Sequence, residues 1–320
     1  MSTSCSPLVS IGLPVYNGET YLSSAIESIL AQTFRDFELI ICDNASTDET
    51  REICRGYMEK DHRVRYFKHK RNIGATSNFN SCLALSSGAY FKWAAHDDML
   101  HPDFLARCVD ALEADPKAVL CQSLVEYIDE NGKSFGIYDS CLAGADSSEA
   151  SERFRALVLL PHPFNEIFGL IRCQALVESI QLGNYGFADR PLLAELALRG
   201  RFIQIHKPLL MIREHKCRAT RAMTRPQDRL SFNDPQRAGQ IDLPTWRCYG
   251  EYFQVVAKHL RDRTTRLRCY KHLLRWWFVN LNWARMAVEL LAVVDPEVLP
   301  FAERLKRKAF GPPPGPLELI

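Results

Sequence analysis

Lys92-Trp93-Ala94-Ala95-His96-Asp97-Asp98-Met99-Leu100-His101-Pro102-Asp103 is an apolar run that meets two adjacent carboxylates and is then stopped by a proline. Neighbouring aspartates at a strand end repel each other unless a cation or a proton holds them. Oxygen ligands alone favour Mg2+ or Mn2+, which keep several waters and share their remaining positions with phosphates. The same residues could equally form a polar turn that caps a helix starting near Pro102. The chain on either side bears on the choice.

Upstream, short apolar runs alternate with helical patterns. Residues 8–16 read as a buried strand, Leu22, Ile26, Ile29 and Leu30 recur at helical spacing, and residues 37–42 read as a second strand. Ser46, Thr47 and Asp48 can cap the helix carrying Ile53, Cys54 and Tyr57. A strand at 64–67, a loop at 70–74, a helix at 75–85 and a strand at 90–94 repeat the unit. Such alternation predicts a parallel sheet flanked by helices. Ligands of open parallel sheets bind at the carboxyl ends of the strands, so the loops at Tyr16, Asp43, Arg71 and Asp97 should share one crevice.

Downstream the pattern loosens. A helix over 102–114 and a strand over 119–125 precede an Asn131-Gly132 hairpin signal. Residues 142–151 look like an exposed loop, Phe154, Leu157, Val158 and Leu160 mark a helix, and residues 166–171 read as a strand. Asp189 stands at the start of a helix that Gly200 ends, followed by strand-like runs at 202–205 and 209–212. Residues 218–242 have no clear period and read as a loop or linker. From 243 to 311 the pattern is helical, and a Pro-rich tail occupies 312–320. The Trp-rich apolar stretch Leu273 to Val294 is interrupted by Arg275, Asn280, Asn282, Arg285 and Glu289 too often for a transmembrane span. It suits either a core or homodimer-forming helix pair or an interfacial element in peripheral contact with a membrane.

Bulk properties exclude several classes. Over 320 residues, 47% hydrophobic and 24% charged content is that of a globular protein rather than a disordered or membrane-spanning one. A net charge of +2 implies no nucleic-acid partner. Eleven cysteines, an odd number without a C-x-x-C, suggest reduced thiols and a cytoplasmic setting. The first residues lack the pattern of a secretory signal.

Residues 9–17, 37–48, Arg71-Asn72-Ile73-Gly74 and His96-Asp97-Asp98 with Pro102-Asp103 together resemble the family 2 glycosyltransferases of the GT-A fold. The resemblance runs over about residues 7–215 and implies an α/β GT-A fold, a Rossmann-like mostly parallel sheet flanked by helices with a helical C-terminal extension. It divides the chain into a glycosyltransferase domain at 1–217, the linker at 218–242, the extension at 243–311 and the tail. Within that domain, about 7–115 form the nucleotide half and about 116–217 the acceptor half.

The resemblance also implies roles. Pro14, Tyr16 and Asn17 would line the nucleotide pocket, Asp43 would accept from the base, and Arg71 would help hold base or diphosphate. Asp97 would contact ribose or donor sugar, Asp98 would bind Mn2+ or Mg2+, and His215 would reach the metal or diphosphate. Asp189 would be the catalytic base for the acceptor hydroxyl in an inverting transfer. UDP- or dTDP-sugars are the favoured donors, with a saccharide or lipid-linked saccharide acceptor in cell-surface polysaccharide or glycolipid assembly, in the cytoplasm or at the inner face of the membrane. Two departures stand out: Ala95 and Ala188 occupy places where the family often has an acid. They keep a non-catalytic nucleotide-binding module in play. A sugar-nucleotide nucleotidyltransferase fits less well, because residues 13–18 offer no Gly-rich phosphate loop.

Overall fold

The structure, a computed structural model, describes residues 6–218, 226–295 and 298–310. Nine strands form one sheet in the order β3-β2-β1-β4-β8-β6-β9-β5, with β7 paired to β6. The strands are β1 (Val9–Val15), β2 (Phe37–Asp43), β3 (Val64–Lys68), β4 (Tyr90–Trp93), β5 (Met99–Leu100), β6 (Ala118–Ile128), β7 (Ser134–Tyr138), β8 (Leu170–Arg172) and β9 (Arg201–Arg213). β1, β2, β3 and β4 run parallel. β8 is antiparallel to both β4 and β6, so β6 and its parallel partner β9 share the direction of the first four. The carboxyl ends of six strands therefore lie along one edge.

The helices of the first half are α1 (Leu22–Leu30), α2 (Thr50–Lys60), α3 (Ala75–Ala84) and α4 (Phe104–Ala114), and those of the second are α5 (Ala150–Leu159), α6 (Cys173–Val177) and α7 (Asp189–Arg199). Every residue of β1 and β2 is buried, which is why these strands read as mainly apolar runs instead of alternating ones; a buried polar pair within them is Ser10 and Glu38, the Ser10 hydroxyl donating to Glu38 Oε1 at 2.7 Å. Two cores result. One joins Val9, Ile11, Leu39 and Ile41 to α1 and α4, and the other joins Ile40, Phe91 and Trp93 to α5 and α7.

Several expectations are corrected. Residues 166–171 are not one strand: Asn165–Phe168 is a 3-10 turn, and only Leu170–Arg172 is extended. The runs at 202–205 and 209–212 are one strand, β9, whose register against β6 shifts near Ser123 and Leu124. Strand β5, two residues long, follows directly on Asp98 where only a turn into a helix was expected.

Part of the expected linker is ordered structure. Pro226–Asn233 form helix α8 and Pro235–Arg237 a 3-10 turn. The end of α8 sits on the start of α3, where a Cβ on Gly74 (φ +86°) would lie 2.2 Å from the Asn233 carbonyl oxygen. Residues 219–225 of that linker and the Pro-rich tail lie outside the described residues.

The C-terminal helices are α9 (Pro244–His259), α10 (Arg263–Trp276), α11 (Asn282–Val294) and α12 (Val298–Phe310). They share a core with the preceding domain: Cys248, Tyr252, Val255, Leu273 and Trp276 pack with Phe154, Tyr185, Ala194 and Leu198. Buried Glu195 of α7 fastens the seam, its Oε1 lying 2.5 Å from His259 Nε2 and its Oε2 accepting from Ile180 N at 2.7 Å. The apolar stretch Leu273 to Val294 is two helices broken at Asn280 and Leu281, whose φ values of 51° and 54° are left-handed. No helix among the described residues is long and apolar enough to cross a membrane.

Candidate active site

The loop after β1 is built from reciprocal hydrogen bonds. Asn17, at φ 51°, donates its backbone N–H to Ser46 Oγ at 2.9 Å, and its Oδ1 accepts from Thr47 N at 2.9 Å. Gly18 N donates to Thr50 Oγ1 at 2.8 Å, and a Cβ on Gly18 would lie 2.9 Å from His96 Cδ2. Glycine at this position thus lets the β1 loop close against the acidic segment. Tyr16 is 44% exposed at the mouth, whereas Pro14 is buried within β1 opposite Cys42.

Asp43 ends β2 with no exposed surface. Its Oδ1 accepts from Ser46 N at 2.7 Å and its Oδ2 from the Tyr66 hydroxyl at 2.6 Å, with Lys68 Nζ at 3.6 Å. Burial and the Asp43 hydrogen bond both raise the Tyr66 hydroxyl far above its ordinary range. The expected base-reading carboxylate is therefore already engaged, and its groups hold the β2 and β3 loops together. Arg71 is exposed, while its neighbour Asn72 is fixed by Asn44 Nδ2 at 2.9 Å. Beneath these loops buried Asn78 donates to the Cys42 carbonyl at 2.8 Å, and its Oδ1 has no partner.

Asp97 and Asp98 are each 8% exposed. β5 pairs Met99 with Met211 and Leu100 with Leu210, which carries the end of β9 past the acid pair. As a result Arg213 N donates to Asp98 Oδ1 at 2.9 Å and Arg213 Nε to the Asp97 carbonyl at 3.0 Å. One terminal nitrogen of the same guanidinium reaches the carbonyls of Asp129 and Glu130, each at 3.1 Å, and the group lies 4.7 Å from the centre of the Tyr21 ring. His215 Nε2 is 2.9 Å from Asp97 Oδ2, with its ring 4.9 Å from that of Tyr21. His215, expected to reach the metal or diphosphate, thus has Asp97 as its direct protein partner beside Asp98.

The two carboxylates are driven apart. Burial works against ionisation of Asp97, but the His96 charge and the His215 hydrogen bond overcome it and hold the carboxyl below its usual range. Burial and then the Asp97 charge push Asp98 up to about 7. Fully buried Lys92 lies below, lowered by burial to about 7, its ammonium bonded to the Phe168 carbonyl and 4.4 Å from the centre of the Phe104 ring. A cavity of about 10 Å³ separates Lys92 from Asp98. Among the described residues, no three His, Cys, Asp or Glu side chains form a ready metal-binding group.

Asp189 opens α7, and its Oδ1 accepts from Arg190 N at 3.0 Å. Surrounding protein raises its carboxyl above the usual range, opposed by the Arg190 charge. No hydrogen bond or ion pair joins it to Asp97 or Asp98. Its surroundings include His162, whose Nδ1 is 2.8 Å from buried Glu166 Oε2, and the Arg190 guanidinium, 4.5 Å from the Phe164 ring centre. Ala188 is 6% exposed and packs in the apolar cluster of Tyr185, Cys248 and Tyr252, so an acid there would be buried in a largely apolar setting.

The model of the family described as Glycosyl transferase family 2 matches residues 10–169, half of the chain, including every loop along this edge up to β6. The chain belongs to glycosyl transferase family 2. Relatives agree: it is 32% identical over 224 residues to an uncharacterized glycosyltransferase of Rickettsia typhi, spanning 67% of this chain and 66% of that one. It is 36% identical over 126 residues to the chondroitin synthase of Escherichia coli, covering 39% of this chain and 18% of that protein. The chain thus spans at most about two thirds of these relatives' own lengths.

Solved structures share the fold. Residues 1–349 of S. aureus TarS in complex with UDP superpose with a TM-score of 0.59 at 16% identity, covering 85% of this chain and 72% of that one. A mannosyltransferase of Pyrobaculum calidifontis in complex with GDP-Man and Mn2+ has a TM-score of 0.53 at 15% identity, covering 95% and 81%. This family 2 glycosyltransferase therefore has a GT-A-like architecture with a mostly parallel sheet.

Arg213, Tyr66, Lys92 and Asn78 were not singled out from sequence. Only Arg213 carried a signal, standing between the strand-like run at 209–212 and His215. The others are ordinary core or strand positions whose polar ends become significant once the strands are stacked.

Proposed function

We propose that this glycosyltransferase moves a sugar from a nucleotide diphosphate to an acceptor hydroxyl with inversion, assisted by a divalent cation at Asp98. The observation that carries this reading is the knot at the ends of β4 and β9, where buried Asp98 stands beside Asp97, His215 and Arg213. Only Asp98 Oδ1 has a hydrogen bond among the described residues, and the carboxylate has no ion-pair partner there. A lone buried oxygen donor beside a second carboxylate fits Mg2+ or Mn2+, whose other positions go to water and diphosphate. Bound there, the cation would neutralise charge arising on the leaving diphosphate.

Protein groups do the rest. Tyr16 and the Asn17 turn would flank the base, Asp43 with Tyr66 would shape the floor of the base pocket, and Arg71 would meet diphosphate or base. Asp97, held by His215, would orient ribose or donor sugar. Asp189 would take the proton of the acceptor hydroxyl as its oxygen attacks the anomeric carbon and the bond to the diphosphate breaks; such a base contributes about 10²–10⁴-fold. Its raised affinity for a proton suits that task. UDP in one TarS structure and GDP-Man with Mn2+ in the mannosyltransferase support a nucleotide-sugar donor, and UDP- or dTDP-sugars are the first to test.

Thermal unfolding with UDP, dTDP, GDP and CMP, each with Mn2+ and with EDTA, tests the reading. A ligand at ~100 times its dissociation constant adds about 2.7 kcal/mol. A Mn2+-dependent shift with one nucleotide is expected, and none with any nucleotide would defeat the proposal.

The C-terminal helices favour a lipid-linked acceptor met at a membrane surface. Trp277, Phe278, Leu281 and Trp283 are exposed around the break between α10 and α11, Phe278 at 75%, and Val294 at 87% ends α11. Aromatic side chains with Arg275 just before them in the chain suit the headgroup layer. Co-sedimentation with vesicles containing anionic lipid should be abolished by Phe278→Ser with Trp283→Ser. A dimer that dissociates on the same substitutions, without vesicle binding, would assign this face to a second copy.

A further inference from the structure

Opposite the Asp98 edge, at the amino ends of the parallel strands, β6 and β9 begin side by side with Ala118 across from Arg201. Antiparallel β8 ends on the same edge at Arg172. A cleft of about 480 Å³ opens there, its wall carrying Lys117, Arg153, Arg172, Arg199 and Arg201 against the single carboxylate of Glu178. A protein with a net charge of +2 thus gathers five cations around one hollow.

These charges are only partly answered. Arg201 pairs with Asp115 at 2.7 Å, and Arg199 with Glu178 at 3.1 Å and Glu195 at 3.3 Å. Arg153 and Arg172 meet neutral oxygens only. Arg153 donates to the carbonyls of Ala197, Ser147 and Ser148 at 2.7, 2.8 and 2.9 Å and of Leu198 at 3.3 Å. Arg172 donates to the carbonyls of Leu112, Ala118 and Asp115 at 2.6, 2.8 and 3.4 Å and to the Tyr90 hydroxyl at 3.1 Å. Carbonyls orient a guanidinium without cancelling its charge. Burial and the neighbouring Arg201 charge both disfavour the charged form of Arg153, and the Glu149 charge opposes them only in part.

Donors also remain. The Nε atoms of Arg199 and Arg201 are buried without a hydrogen-bond partner among the described residues, and the exposed Lys117 ammonium has only the charge of Asp115 nearby. Rigid guanidinium forks beside a mobile ammonium suit phosphate oxygens better than a single carboxylate. The volume falls in the range of small-molecule sites.

We propose that this cleft is a second ligand site that takes a small phosphate-bearing molecule, separate from the crevice at Asp97 and Asp98. The inference stands independently of the transferase mechanism. Calorimetric titration of the full chain with inorganic pyrophosphate, in EDTA to suppress metal-assisted binding at the other edge, tests it. Saturable binding is expected, weakened about tenfold by Lys117→Gln and by Arg201→Gln. Asp98→Asn should leave it unchanged.

Lys117 is exposed, so Lys117→Gln keeps the test sound if Arg201→Gln unfolds the chain, which the unliganded melting temperature reports. Absent binding, equal binding by all variants, or loss in Asp98→Asn alone would each overturn the site. A parallel arm uses phosphatidylcholine vesicles with and without phosphatidic acid. Pelleting that depends on Lys117, with no binding of soluble pyrophosphate, would replace the small ligand by a lipid headgroup and overturn the assignment.

Discussion

His215 Nε2 lies 2.9 Å from Asp97 Oδ2, joining the loop after β9 to the loop after β4 across 118 residues of sequence. The pair divides labour between two adjacent acids: the imidazole helps keep Asp97 ionised, and Asp98 is left without such a partner. His215→Ala should therefore weaken Mn2+-dependent nucleotide binding by about 10-fold or more, as removal of a residue orienting a ligand does. Calorimetric titration of the variant with the nucleotide that stabilises the wild type checks this. Unchanged affinity would reduce the pair to a structural contact.

Arg213 is the stronger structural element. It joins the Asp97 carbonyl, the Asp98 carboxylate and the hairpin carbonyls of Asp129 and Glu130. Arg213→Met keeps the stem and the backbone bond to Asp98 but leaves the buried Asp97 carbonyl and the part-buried carbonyls of Asp129 and Glu130 without this donor. A loss of about 2–4 kcal/mol is expected in urea unfolding. Arg213→Lys should recover little, because an ammonium cannot span the same set.

Asp98 and Lys92 make opposite demands on pH. The folded-state value of Asp98, about 7, lies above its ordinary 3.8, so its contribution to stability is full below pH 4 and lost as pH rises through 7. That of Lys92, also about 7, lies below its ordinary 10.5; its contribution is full above 10.5 and lost as pH falls through 7. Together they place a minimum near neutrality in the metal-free protein. Melting temperatures from pH 4 to 10 in EDTA should show the falling limb removed by Asp98→Asn and the rising limb removed by Lys92→Met. Mn2+ should flatten the falling limb in the wild type.

Asp189→Asn keeps the size of the side chain and removes the carboxylate proposed as the base. Turnover should fall about 10²–10⁴-fold while nucleotide affinity stays at the wild-type value. A parallel loss of nucleotide affinity would mean that Asp189 supports the fold of the donor pocket instead.

Tyr66→Phe removes the hydroxyl that satisfies Asp43 Oδ2. It should cost about 1–3 kcal/mol in unfolding free energy, the penalty of an unsatisfied buried acceptor. A bound base that donates to Asp43 would recover part of that loss, so the variant should gain more stability from nucleotide than the wild type does.

Sequence alone determined the alternating strands and helices of the first half, because completely buried parallel strands such as β1 and β2 leave short, mainly apolar runs bounded by turn residues. The same regularity put Tyr16, Asp43, Arg71 and Asp97 along one edge, and the motifs in those loops named the family. Legibility faded after β6. There a 3-10 turn at Asn165 and a left-handed break at Asn280 depend on neighbours far along the chain, as the two-residue strand β5 already does before it. Only the tertiary structure decided that His215 faces Asp97, that Arg213 binds three loops, that Asp43 is closed by Tyr66, and that five cations converge behind the sheet. Each of these is a contact between side chains brought together by strand register, and register is set by packing against the rest of the fold rather than by local residue order.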